Sequence, residues 1–261
     1  MTGALLPAAS LARREVVRFL RQRSRVVGSL GQALLLWLLI GGGFQASFKP
    51  GGAAAGMGYA EYFFPGILAV VLLFTAVFAT ISVVEDRHSG FLQGVLVAPV
   101  PRWAVVLGQA AGSTILAVGQ AALLLLLAPL VGIPMSLGSL LATLGVMVLV
   151  SFSVSDLGLF IAWKLNSTRG FHAIMNLILF PLWWLSGALF PEAGLPGWMG
   201  WLVRLNPVTY EVTALRRAIY MERPDVLAGL APMGFALLVT ILFTAVSFAA
   251  AVRASVTSTA R

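Results

Sequence analysis

Six apolar runs, at residues 26–44, 60–84, 103–131, 137–163, 171–190 and 228–252, leave this chain few ways to fold. Each is close to or above the ~20 residues that an α-helix needs to cross a bilayer. Backbone inside hydrocarbon has to satisfy its own hydrogen bonds, so such runs are read as helices. The third and fourth exceed the minimum and are expected to tilt. Gly132, Ile133 and Pro134 make a tight turn between them. Only 10% of residues are charged, against about 25% in a soluble domain. With no internal repeat and no low-complexity linker, residues 1–261 read as one all-α membrane domain with six transmembrane helices. The absence of cysteine excludes disulfides, a thiolate metal site and a cysteine nucleophile.

In residues 1–25, Leu11, Val16, Val17, Phe19 and Leu20 interleave with Arg13, Arg14, Arg18, Arg21, Arg23 and Arg25. This is the pattern of an amphipathic interfacial helix on a lipid surface, not of a nucleic-acid arm. A cleaved leader is the competing reading, because Gln45-Ala46-Ser47 looks like a cleavage region. The length of the basic stretch and the further apolar runs favour a retained first span.

Lysine and arginine orient the set. Twelve lie in the arm, the loops at 85–103 and 164–170 and the C-terminal tail, against five in the alternate loops. Both termini and the 85–103 loop are therefore expected in the cytoplasm. The opposite segment, 191–227, carries Trp198, Trp201, Leu202 and Leu205 and is broken by Pro207. It reads as two short re-entrant helices at the outer face.

The 85–103 loop is the longest polar interruption in the first two thirds of the chain. Glu85, Asp86 and Arg87 end the second span. Ser89 or Asp86 can cap a short helix. Phe91, Leu92, Val95 and Leu96 share one face of that helix, and Pro99 and Pro101 stop it. Such a stripe suits docking to a soluble partner or lying in the interface. Glu85 can tie the loop to the N-terminal arginines, tie it to a partner, or simply end a helix.

Other residues carry less. The only lysines, Lys49 and Lys164, do not follow glycine, so no phosphate-binding loop of the Gly-x-x-x-x-Gly-Lys type is present and ATP hydrolysis by this chain is not expected. His172 and Asn176 share a helix face without the glutamate pair that a membrane metalloprotease needs. Asn166-Ser167-Thr168 matches a glycosylation sequon but is expected on the cytoplasmic side. Asp156 lies within the fourth span, where acids usually face a partner or a cavity. It either lines a pathway for cationic cargo or is hydrogen-bonded to Ser153 or a neighbouring helix. Trp183 and Trp184 pack a dimer seam or touch substrate.

Three ordered stretches resemble the membrane permeases of the ABC-2 family, found in bacterial drug-efflux and polysaccharide-export ABC transporters. The first is Glu85-Asp86-Arg87-His88-Ser89-Gly90-Phe91-Leu92, followed by Val97-Ala98-Pro99-Val100. The second is 180–191, with Pro181, Ser186, Gly187, Phe190 and Pro191. The third is Leu205-Asn206-Pro207-Val208-Thr209-Tyr210, followed by Leu215-Arg216. With the six spans and the basic arm, the likeness covers almost the whole chain.

The resemblance implies a bacterial inner-membrane subunit that pairs with a second copy of itself and with two copies of a soluble ABC ATPase. ATP and magnesium would be held by that ATPase and no cofactor by this chain. Glu85, Asp86, Arg87, Gly90, Phe91, Leu92, Val95, Leu96 and Pro99 would form the coupling helix. Arg13, Arg14, Arg18 and Arg21 would sit on a membrane-surface helix, contacting lipid. Asn206, Pro207, Tyr210 and Arg216 would shape the outer re-entrant segment. Asp156, Trp183, Trp184, Ser186 and Phe190 are pathway candidates. The implied activity is export of an amphipathic or hydrophobic substrate. A lipid-linked glycan is the alternative cargo, and an ion-coupled secondary transporter the alternative class.

Overall fold

The structure, a computed structural model, describes residues 2–21, 23–43, 57–190 and 196–257. The end of the first run at 44, the cleavage-like residues at 45–47, Lys49, the start of the outer segment at 191–195 and Arg261 lie outside the described residues. Among the described residues there are helices and turns and no strands.

Eleven α-helices follow in order: α1 Thr2–Arg21, α2 Arg23–Gly43, α3 Tyr59–Ala79, α4 Ser82–His88, α5 Phe91–Val97, α6 Arg102–Leu125, α7 Leu137–Ala162, α8 Thr168–Trp184, α9 Gly197–Leu205, α10 Pro207–Ile219 and α11 Met233–Thr257. Among the described residues, four segments are long and apolar enough to cross a membrane: 59–88, 102–125, 137–162 and 233–257. The apolar part of α2 is shorter, Gly31–Gly43, and α8 has 17 residues.

Several boundaries differ from the sequence reading for local reasons. The third run was expected to continue to 131, but α6 ends at Leu125 and a 3-10 turn follows at Ala128–Val131. Pro129 has no N–H to continue an α-helix. The fifth run was expected to continue to 190, but α8 stops at Trp184. The sixth begins five residues later than expected, at Met233, and extends past 252 to Thr257. Helix starts are set by side chains that accept orphan N–H groups. Ser136 accepts from Ser139 N at α7, Ser167 from Gly170 N at α8, and Asn206 from Val208 N at α10, with Pro207 in the first turn.

The central pillar is α3. Sixteen of its 21 residues are buried, and α2, α6, α7, α8 and α10 pack around it. Phe63, Phe64, Ile67, Leu68, Leu72 and Leu73 are fully enclosed. Large apolar side chains on α7 and α11, such as Leu141, Val148, Leu238 and Leu242, point outward, as a lipid-facing surface requires. Pro65 lies inside α3 and cannot donate to the carbonyl of Glu61. The Tyr220 hydroxyl donates to that carbonyl at 2.7 Å.

α1 lies in close contact with α6. A Cβ at Gly108 would lie 2.6 Å from the carbonyl oxygen of Ala8, and one at Gly112 would lie 2.8 Å from Cβ of Glu15. Two glycines four residues apart let α1 rest backbone to backbone on α6. Gly108→Ala should therefore cost on the order of 1–3 kcal/mol through overpacking. Gly119→Ala, on the same helix with nothing within 4 Å of its Cβ, should instead gain about 0.5–1 kcal/mol. Thermal midpoints in detergent check both signs; two shifts of the same sign would remove the close-approach account.

Candidate functional site

The α4–α5 turn is held from two sides. On one side stands α1, whose Ala8, Ala12, Glu15 and Phe19 are buried. Arg14 forks onto Asp86, with Nη1 2.5 Å from Oδ2 and Nη2 2.7 Å from Oδ1. Arg18 reaches Asp86 Oδ1 at 3.0 Å and also pairs with Glu85. Bidentate guanidinium–carboxylate pairing fixes orientation as well as charge. The Arg14 guanidinium also lies 3.8 Å from the centre of the Phe91 ring. Hydrogen bonding to Asp86 raises the Arg14 pKa further, so this cation stays charged.

On the other side, Arg87 donates to the carbonyls of Trp163 at 3.0 Å and Leu165 at 3.2 Å, and to Asn166 Oδ1 at 2.6 Å. His88 Nε2 is 2.7 Å from the Asn166 carbonyl. Carbonyls at a helix C-terminus lack partners within the helix. The Arg87 cation supplies them at the end of α7, where the helix dipole favours positive charge.

These clamps set how α5 is presented. The residue just before it is Gly90, in the left-handed region at φ +75°, which only glycine adopts freely. Neither Ser89 nor Asp86 caps α5 as the sequence suggested. Asp86 is held by α1, and the Ser89 hydroxyl donates to the Asp86 carbonyl. The expected stripe also splits. Leu92 is buried, Val95 and Leu96 are half-buried against the core, and Phe91 is partly exposed beside Arg14. The outward face is Gln93, Gly94, Val97, Ala98 and Pro99, with Val97 87% exposed. Ala98 is extended, as a residue before proline prefers. Of the arm's candidates, Arg14 and Arg18 reach the turn, while Arg13 and Arg21 face outward.

A cavity of about 290 Å³ lies at the α1, α2, α3 and α8 seam. Phe74, Phe78, Phe180, Trp183 and Trp184 dominate its wall, and Gln32 and Thr75 are the polar side chains that line it. Of the pathway candidates, Trp183 and Trp184 are part of that wall. Ser186 and Phe190 do not line the cavity, although Leu189 between them does. Asp156 is absent from it as well. It is fully buried in α7, and neither carboxylate oxygen has a hydrogen-bond partner among the described residues. Ser153 donates instead to Glu211 and to the Val150 carbonyl. Glu211 belongs to the segment expected at the outer face. It is buried completely, because α10 packs against α3 and α7.

The cavity ends at an elbow, residues 185–190, where α8 breaks. Gly187 has φ +73°. The carbonyls freed by the break are taken up by side chains from elsewhere. Asn206 Nδ2 donates to Leu182 O at 2.6 Å, and Thr209 Oγ1 donates to Leu185 O at 3.3 Å. Tyr62 OH at 3.0 Å and Arg216 at 3.3 Å both donate to Gly187 O, and Tyr59 OH donates to Leu189 O at 3.1 Å. The Arg216 guanidinium lies 4.3 Å from the centre of the Tyr62 ring. Asn206, Pro207 and Arg216 therefore converge on the elbow or on the start of α10. Tyr210 does not; it donates to Arg204 O and meets Phe235 edge-on. Sequence reasoning missed Tyr59 and Tyr62, and Thr209 was quoted in the third stretch without a role. Tyrosines at the start of a span, opposite a glycine break, were the available signal.

Spanning helices around an aromatic cavity, with a clamped turn at one end and a knotted elbow at the other, describe an integral membrane permease. Residues 8–220 match the ABC-2 type transporter family, and the chain belongs to it. It is 26% identical over 209 residues to the putative transport permease ycf38 of Cyanophora paradoxa, covering 79% of this chain and 71% of the relative. It is 26% identical over 166 residues to the probable multidrug ABC transporter permease YbhR of Escherichia coli K12, covering 63% and 45%. It is 24% identical over 190 residues to the daunorubicin resistance ABC transporter permease protein DrrB1 of Streptomyces coeruleorubidus, covering 72% and 64%. The matched region takes in less than two thirds of the last two relatives. The family is a transport permease component that generally works with an ATPase subunit.

Glu15 offers a test of the clamp. Burial pushes its carboxyl above the usual range, and Asp86 adds to this, while a Ser82 hydrogen bond and the Arg14 and Arg18 charges oppose it. The folded state holds this proton more tightly than the unfolded chain. The contribution favours folding below the ordinary pKa of 4.5 and is lost as pH rises through the raised value. Glu15→Gln should raise the melting midpoint over wild type at about pH 8 and leave it unchanged near about pH 4. An equal difference at both pH values would show that burial does not set the sign.

Proposed function

We propose that this chain is the permease subunit of an ATP-driven exporter, moving an amphipathic or hydrophobic substrate outward under the drive of a separate ATPase. The observation that carries this reading is the α4–α5 turn. It is an exposed helical knuckle fixed by arginine clamps to α1 and to the end of α7. A turn with no play can pass a partner's movement to the helices that it joins. Family membership supplies the ATPase as the partner, and nucleotide and magnesium belong to that subunit.

In this reading α2, α3 with α4, α6, α7, α8 and α11 are the six spans. The 17 residues of α8 rise about 25 Å, and the elbow completes the crossing. α9 and α10 are the outer re-entrant pair, α1 lies on the cytoplasmic leaflet, and both termini are cytoplasmic in a bacterial inner membrane. Leu35, Leu38, Leu39, Leu177 and Trp184 on α2 and α8 are exposed. A second copy joined by a two-fold axis would cover the same patch on both subunits and close the cavity between them.

Cargo chemistry follows from the cavity wall. With Gln32 and Thr75 as its polar lining, it suits a drug-like or lipid substrate rather than the many hydroxyls of a glycan. Phe180→Ala and Trp184→Ala, which remove aromatic surface from the cavity, should cut export by about tenfold while leaving ATPase stimulation in place. Retained export in both variants would place the pathway elsewhere. Co-purification of the tagged chain with a neighbouring P-loop ATPase tests the partnership; a chain recovered alone, without nucleotide hydrolysis, would overturn the exporter reading.

A further inference from the structure

The α7–α8 turn, residues 163–168, is bound to the α4–α5 turn more tightly than a passing contact requires. One side chain, Arg87, makes three hydrogen bonds to it, and His88 makes a fourth. These bonds link residues 76 to 79 positions apart. They end on the backbone carbonyls of Trp163, Leu165 and Asn166 and on Asn166 Oδ1, which lie past the end of α7. The two turns therefore form one surface.

The charge of that surface is one-sided. Residues 87–103 and 163–170 contain no aspartate or glutamate. The nearest acids, Glu85 and Asp86, are engaged by Arg14 and Arg18. Lys164 and Arg169 are exposed, and Arg102 is half-exposed. Lys164 Nζ lies 4.0 Å from the centre of the Phe160 ring, which holds it in place. The exposed apolar residues Val97 and Pro99 share this surface with the cations.

We propose that the α7–α8 turn is a second half of the docking platform, and that the platform seats an acidic surface of the ATPase subunit. The apolar tip of α5 forms the centre and Lys164 with Arg169 the basic rim. This inference rests on the docking reading of the α4–α5 turn and adds the partner's chemistry to it. Exposed rim charges act chiefly on association rate and salt dependence. Screening at high ionic strength removes them, whereas a charge placed at the apolar centre disrupts contact at any salt.

Binding of the purified ATPase subunit to the detergent-solubilised full chain tests this at about 50 mM and about 500 mM salt. Lys164→Glu with Arg169→Glu should weaken binding about tenfold or more at low salt, with the difference from wild type largely gone at high salt. Val97→Asp should abolish binding at both. Lys164, Arg169 and Val97 are exposed, so unchanged melting midpoints are expected and confirm that the variants fold. A double variant that binds like wild type at low salt, while Val97→Asp does not bind, overturns the composite platform and leaves the docking reading standing. Normal binding by Val97→Asp overturns the docking reading and the platform with it.

Discussion

A backbone carbonyl in a bilayer has no water to turn to, and this constraint organises the molecule. At three interruptions a side chain from a distant segment supplies the missing donor. Pro65 frees the Glu61 carbonyl in α3, and Tyr220 takes it. The break after α8 exposes a run of carbonyls, and Tyr59, Tyr62, Asn206, Thr209 and Arg216 take them. The end of α7 is taken by Arg87. Each irregular point thus becomes a tie between elements far apart in sequence. In hydrocarbon such ties are obligatory, because an orphaned backbone group costs several kcal/mol.

The clamp at the α4–α5 turn differs in kind. There a carboxylate is shared between two guanidiniums at the edge of the apolar region. Asp86 is buried and acidic, and Arg14 and Arg18 make that burial tolerable. Because α1 is seated on α6 through Gly108 and Gly112, the clamp also links the turn to α6 beyond its own chain connection. Displacing α5 therefore displaces α1, α6 and the end of α7 together.

Much of this was legible in the sequence. Apolar runs located the four described segments long enough to cross, because lipid leaves a run of that length little choice. A tie between Glu85 and the arm was among the readings of that residue, since opposite charges on one side of a membrane seek each other. The orientation of α5 was not legible. Periodicity placed Phe91, Leu92, Val95 and Leu96 on one face but could not say that this face turns inward. Arg87 was read as an end to the second span and, from the resemblance, as part of the coupling helix; its tie to the α7–α8 turn was not legible, because its acceptors are carbonyl oxygens that carry no sequence signature. The burial of Glu211 was not legible either, because a helix of 13 residues has too little apolar length to announce it.

Asp156 shows where composition arguments stop. An acid inside a span is expected to face a partner or a cavity, and a pathway for cationic cargo was one reading. The cavity, however, is walled by α1, α2, α3 and α8, whereas Asp156 sits on α7, which packs chiefly with α3, α6, α10 and α11. The pillar α3 touches both. A cargo held among Phe74, Phe180 and Trp184 meets aromatic faces, not a carboxylate. In the proposed export reading, a positive charge on such a cargo would find the π faces of the wall, and recognition would rest on aromatic surface rather than on the one acid within that span.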